Sequence, residues 1–216
     1  MAIIRRANNV VGGERRNEGD QNYSVLEEDG LDYQLQYDDP PHFLAVMAAI
    51  EREDTEGLSR ALDVLESMNI GINEAVHDDF PALHLACVYG KLSCVKLLLE
   101  RGAGLEFEDA YGMCPLHAAC VEGNPEVIQH LLNAAPSPHV IERMVNMVGS
   151  AELGNGETPL HFAASEGRAE AIRILMAAGA DPRIRNKTGM IPADLFHGDS
   201  DAKRILEEFD SNIPRQ

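Results

Sequence analysis

The chain has 216 residues and carries 36 Asp and Glu against 18 Lys and Arg, a formal charge of −18. A surface of that sign repels nucleic acid and anionic membranes and steers basic ligands inward. With 44% apolar residues a real core can form, yet 5% aromatic content and no Trp point to Leu and Ala filling narrow gaps.

Residues 1–39 form a separate compositional zone. Arg5, Arg6, Arg15 and Arg16 face one acid, Glu14, and from Glu18 to Asp39 there are eight acids and no base. This composition reads as a disordered acidic segment. Its basic start is too short and too soon acidic for a mitochondrial targeting piece. Val25, Leu26, Leu31, Tyr33, Leu35 and Tyr37 are the positions that would order on a partner or against the rest of the chain.

From Pro41 the pattern becomes helical. Phe43 to Arg52 and Gly57 to Met68 make an apolar pair, with Leu58, Leu62 and Leu65 on one face, and read as an N-terminal cap. Three copies of one signature follow: Ala82-Leu83-His84-Leu85-Ala86, Pro115-Leu116-His117-Ala118-Ala119 and Pro159-Leu160-His161-Phe162-Ala163. His84 and His117 lie 33 positions apart, as do Pro159 and Pro192, and His117 to His161 is one such period plus 11 residues. The insertion falls after Leu131-Leu132, where Pro136-Ser137-Pro138 can start a helix. Val140, Ile141, Met144, Val145 and Val148 then recur on one face up to Gly149. The last unit keeps Gly189, Pro192 and Ala193 but has Asp194 where His is expected. Its second helix carries Lys203, Arg204, Glu207 and Glu208, a polar surface suited to a terminal cap.

The 33-residue period and the T-P-L-H-x-A core resemble the ankyrin repeat. The best copy runs from Gly156-Glu157-Thr158-Pro159-Leu160-His161 through Gly167 and Ile172-Arg173-Ile174-Leu175 to Gly179-Ala180-Asp181. The resemblance implies an all-α ankyrin-repeat solenoid of about five stacked helix-turn-helix units with hairpin loops, the first and last acting as caps. The repeat domain is 40–210, with units near 41–75, 76–107, 108–153 (insertion 134–152), 154–185 and 186–210, followed by a tail, 211–216. It also implies that each histidine hydrogen-bonds neighbouring backbone and holds stacked turns in register. The first hairpin departs from the pattern: Asp79 stands for the usual glycine and Pro81-Ala82 for Thr-Pro, so distortion is expected there.

Catalytic chemistry finds no support. Cys114, His117 and Cys120 are closely spaced, and His84 with Cys87 repeats the offset, but a zinc ion needs about four converging ligands. Stacking separates equivalent side chains too far for that, so no metal and no cofactor are expected. Cys87, Cys94, Cys114 and Cys120 read as reduced core thiols. No phosphate loop, nucleophile elbow or Ser-His-Asp order is present. No stretch approaches the ~20 apolar residues of a membrane helix. Asn186-Lys187-Thr188 matches a glycosylation acceptor but has no export signal beside it, and reads as coincidental.

Binding is therefore the expected function. Partners of ankyrin arrays dock on the concave face of hairpin tips and first helices. Carried onto this sequence, those positions are His77, Asp78 and Phe80, then Ala110, Tyr111 and Met113, then Asn155 and Glu157, then Lys187, Thr188 and Met190, with Val88 and Tyr89, Val121 and Glu122, and Ser165 and Glu166 on the first helices. Glu106-Phe107-Glu108-Asp109 reads as an acidic, aromatic strand beside them, adding Asp109. Residues 41–150 hold sixteen acids and six bases, which favours a basic protein partner over nucleic acid. More loosely, the chain is similar to small acidic ankyrin-repeat escorts of newly made ribosomal proteins. The junction Ala180-Asp181-Pro182-Arg183-Ile184-Arg185-Asn186-Lys187-Thr188-Gly189 carries that likeness. The expectation is a monomeric, non-catalytic, cytoplasmic or nuclear chaperone for a basic protein; the alternative is a regulatory adaptor or inhibitor of a kinase, receptor or transcription factor.

Overall fold

A computed structural model describes residues 40–77, 80–150, 155–196, 202 and 204–206. Its contacts divide the chain into Met1–Asp39 and Pro40–Gln216, and every described residue belongs to the second unit. The expectations for residues 1–39, for the Asp78-Asp79 tip, and for Lys203, Glu207, Glu208 and the 211–216 tail lie outside the described residues.

The elements follow the period. Helices α1 (Pro41–Glu51) and α2 (Thr55–Ser67) form the first unit, and strands β1 (Ala75–His77) and β2 (Phe80–Pro81) make a short antiparallel hairpin. Then come α3 (Ala82–Val88), α4 (Leu92–Glu100), α5 (Pro115–Glu122), α6 (Pro125–Ala134), α7 (Pro138–Asn146), α8 (Pro159–Ser165), α9 (Ala169–Ala177) and a 3-10 turn, Pro192–Leu195. First helices α1, α3, α5 and α8 pack in series, and second helices α2, α4, α6 and α9 stack beside them. Proline opens α1, α5, α6, α7 and α8, where its missing N–H would be unpaired in any case.

The core is narrow and aliphatic. Leu58, Leu85, Leu98, Leu116, Ile128, Leu131, Leu160, Ile172 and Leu175 are fully buried, and Ala86, Ala119 and Ala163 let the first helices approach closely. Cys87, Cys94, Cys114 and Cys120 are buried free thiols, as expected. Burial pushes Cys94 and Cys114 up to about 11, so these sulfurs are inert packing groups.

The insertion does form a helix, but α7 ends at Asn146 rather than near Gly149. Met147 turns extended, with ψ 133°, and its carbonyl accepts the His117 Nε2–H at 3.0 Å. Arg143 grips Glu106 with two 2.7 Å bonds, and Asn146 donates to the Gly179 carbonyl while accepting from Asp181 N at 2.7 Å. Gly149 N donates to the Glu157 carbonyl and Ser150 N to the Tyr111 carbonyl. The inserted chain is thus fastened to the units on both sides of it.

Two further expectations change. Residues 106–109 form an irregular turn and loop rather than a strand, because Glu106 is drawn to Arg143 and Asp109 folds back on its own hairpin. The last unit begins with a single 3-10 turn instead of a first helix. There Asp194 caps the Ile191 N–H at 3.0 Å, and a carboxylate has no N–H to offer a following repeat. The terminal cap is still packed, since Ala202, Ile205 and Leu206 are buried while Arg204 is exposed.

Gly112 marks the tightest backbone approach. Its φ is +69°, and a Cβ there would meet Ser150 N at 2.6 Å, backbone that cannot step aside; at Gly102, φ +90°, a Cβ meets nothing within 4 Å. Gly102→Ala should therefore lose only the left-handed penalty of about 1–2 kcal/mol. Gly112→Ala should lose clearly more in urea denaturation, and equal losses would mean that the insertion is not seated on the Tyr111 turn.

Candidate protein-binding face

Three buried imidazoles join the units. In α5, Cys114 N donates to His117 Nδ1 at 3.1 Å, and in α8 Thr158 N donates to His161 Nδ1 at 3.1 Å. With Nδ1 accepting, Nε2 carries the proton and donates outward: His117 to Met147 O at the end of the insertion at 3.0 Å, His161 to Met190 O in the next unit at 3.1 Å. His84 makes the same outward bond to Met113 O at 2.8 Å. Its Nδ1, however, has no partner, because the N-cap of α3 is Pro81, which has no N–H. Burial holds His84 and His117 near 4, well below the usual imidazole value, and lowers His161 as well.

The hairpin tips are shaped by a second set of polar groups. Asp109 Oδ1 accepts Tyr111 N at 2.8 Å and Met113 N at 2.9 Å. Asn186 Oδ1 does the same two hairpins later, for Thr188 N and Met190 N. Glu157 accepts from Asn155 Nδ2 at 2.9 Å and from Asn186 Nδ2 at 3.3 Å. Phe80 stacks on Tyr111 with ring centroids 5.7 Å apart, tying the first tip to the second.

These placements revise the expected contact set. Phe80, Val88, Met113 and Val121 are buried apolar residues that pack between units, and Asp109 and Glu157 are buried turn-forming carboxylates. Their side chains serve the scaffold rather than an open surface. Tyr89 and Tyr111 remain part-exposed, and Glu122 and Glu166 are exposed. The backbone of His77 lies in β1, while its side chain and Asp78 are outside the described residues. Tyr89, Glu122 and Glu166 occupy one position, at the C-terminal ends of successive first helices. Arg168, at the start of α9, crosses the same edge and donates to the Val121 carbonyl at 3.1 Å. Asn186, 5% exposed with both amide ends bonded, is closed to glycosylation.

Phe107, in the acidic, aromatic segment beside the expected contact set, is 45% exposed. Sequence reasoning missed one surface feature. A shallow groove of about 420 Å³ crosses α4, α6 and α9, lined by Leu92, Lys96, Pro125, Gln129, His130 and Ile174. Its residues come from second helices of three units, so no single repeat announces it. Among the described residues no His, Cys, Asp and Glu group could hold a metal, and no helix is long and apolar enough to cross a membrane.

A stack of helix pairs joined by imidazole bridges and capped at both ends is a repeat scaffold, in which each unit is stable only against its neighbours. The chain belongs to the ankyrin-repeat family: a model of three ankyrin repeats matches residues 46–141, and a model of one ankyrin repeat matches 155–187. Among curated proteins it is similar to protein phosphatase 1 regulatory subunit 27, 30% identical to the Mus musculus protein over 93 residues, 43% of this chain and 58% of that one. The Homo sapiens protein of that name is 44% identical over 52 residues, 24% of this chain and 34% of the relative. A Notch-regulated ankyrin repeat-containing protein of Xenopus tropicalis is 27% identical over 96 residues, 44% of this chain and 84% of that protein. The chain thus matches a third to somewhat over half of the length of the regulatory-subunit relatives. Family and relatives define a module for protein–protein interaction and point to a non-catalytic one.

Two substitutions test this network. Pro81→Thr gives His84 Nδ1 the N–H donor that Thr158 gives His161, and should raise stability in urea by about 1–2 kcal/mol. No gain would mean that the nitrogen is already satisfied. Asp109→Asn keeps the turn acceptor, as Asn186 shows, and removes a carboxylate that burial raises to about 6.

The folded pKa of Asp109 lies above its unfolded value, so its ionisation costs stability above about pH 6, a cost that fades as pH falls toward 4. Asp109→Asn should thus be more stable than the parent by about 1–3 kcal/mol at pH 7, with the gap closing near pH 4. The histidines run the other way: their folded values lie below the unfolded one, so their contribution is complete above about 6.5 and is lost down to about 4. Two such histidines outweigh one Asp, and the melting temperature of the parent should fall across that window.

Proposed function

We propose that the edge formed by Tyr89, Glu122 and Glu166, with Tyr111 at the neighbouring tip, docks a basic segment of a partner protein. The observation that carries this reading is the alignment of Glu122 and Glu166: exposed, equivalent in successive units, and without an ion pair among the described residues, next in sequence to the buried Val121 or its counterpart. Aromatic rings beside unpaired carboxylates suit Arg and Lys, through charge and through ring faces. A chain that holds basic segments in this way would act as an escort, shielding a cationic client from nucleic acid and other polyanions.

A second reading, a regulatory subunit or inhibitor bound to a folded enzyme or transcription factor, draws support from the likeness to a phosphatase regulatory subunit. The two differ in what binds. An escort takes an isolated basic peptide, whereas a regulatory subunit needs a folded surface.

The test is fluorescence anisotropy with a labelled Arg- and Lys-rich peptide at rising salt. Binding should weaken steeply with salt, and Glu122→Lys with Glu166→Lys should weaken it about tenfold at low salt with the melting temperature unchanged. Affinity untouched by both salt and charge reversal would remove the basic-segment reading and favour the regulatory one.

A further inference from the structure

Two dipeptides among the described residues place a hydroxyl before proline, Ser137-Pro138 and Thr158-Pro159, and the fold separates them. Thr158 is 1% exposed, with Oγ1 held 2.8 Å from His161 Nδ1. Ser137 lies in the short connection between α6 and α7, with φ −159° and ψ 158°, a fully extended backbone. Pro136, Pro138 and His139 around it are exposed. The Ser137 oxygen accepts only a long 3.4 Å bond from Val140 N, which leaves its hydroxyl proton without an acceptor among the described residues.

We propose that Ser137 is a phosphorylation site for a proline-directed protein kinase, and that the phosphate tightens the insertion on the array. An extended, part-exposed serine flanked by exposed residues and followed by an imide fits a kinase whose next pocket offers no acceptor for an N–H, which Pro138 does not have. Ser137 Oγ attacks the γ-phosphorus of magnesium ATP, the bond from that phosphorus to the β,γ-bridging oxygen breaks, and ADP leaves. The hydroxyl proton passes to the catalytic carboxylate of the kinase.

The modified oxygen is the N-cap of α7, which has no acid in its first turn. A phosphate of about −1.5 to −2 charge there lies beside the His139 and Val140 N–H groups, the second already donating to Ser137, and at the positive end of the helix. The other end of α7 carries the Asn146 and Met147 bonds to neighbouring units, so a firmer helix holds those bonds more firmly. The proposal stands apart from the reading of the first-helix edge.

The experiment treats the full folded chain with ATP and a recombinant mitogen-activated kinase, maps the product by mass spectrometry and melts it. A phosphate should appear at Ser137 and not at Thr158, and the melting temperature should rise by about 1–4 °C. Ser137→Asn keeps a capping oxygen but has no nucleophile. It should fold as the parent does and take up no phosphate at residue 137. Modification of Ser137 only after unfolding, or none at all, overturns the site. A phosphate at Ser137 with no rise in melting temperature overturns the tightening.

Discussion

The three central units of this array each depend on an imidazole that must be neutral and oriented. The ring sits in the first turn of a first helix, too buried to be charged, and its Nε2–H reaches a carbonyl in the next unit or, for His117, in the insertion that leads to it. Where the helix N-cap supplies an N–H, Nδ1 accepts it, and that bond fixes both tautomer and ring direction. One side chain then satisfies its own turn and its neighbour's. Burial secures the arrangement, since a neutral ring is the only form that this environment admits.

The consequences run outward from that bond. The carbonyl of each bridge belongs to a loop whose shape must be held, and Asp109, Asn186 and the insertion do so by different means. Asp109 and Asn186 are one solution in two chemistries, a charged and a neutral acceptor for the same pair of backbone N–H groups. The insertion is another solution: extra chain enters, and Met147 supplies the carbonyl for His117 while Gly149 engages Glu157. A longer unit keeps the ladder because the hydrogen-bond requirement travels with the imidazole, not with the count of residues between repeats.

The binding edge follows from the same geometry. Stacking the first helices buries Val88 and Val121 and leaves the residues at their C-terminal ends on an outer edge, where Tyr89, Glu122 and Glu166 meet solvent. Polar residues one step inward are consumed by the scaffold. Sequence position alone made Asp109 and Glu157 equal to Glu122 as contact candidates; hydrogen bonding to backbone and to Asn186 sets them apart.

The sequence by itself determined the architecture, because a 33-residue period of Pro, Leu, His and Gly states which turns repeat and which helix faces must be covered. It also marked the insertion, the first helix pair and the terminal departure at Asp194. Only the tertiary structure decided which polar residues remain outside. Burial of Glu157 requires Asn186 from the next unit, and the end of α7 at Asn146 requires His117 from the helix that precedes the insertion by two. The orphaned nitrogen of His84 likewise becomes visible only when Pro81 stands as the cap of its helix. Local patterning is written in spacing, but whether Glu157 meets water or a partner depends on Asn186, 29 residues away in the next unit.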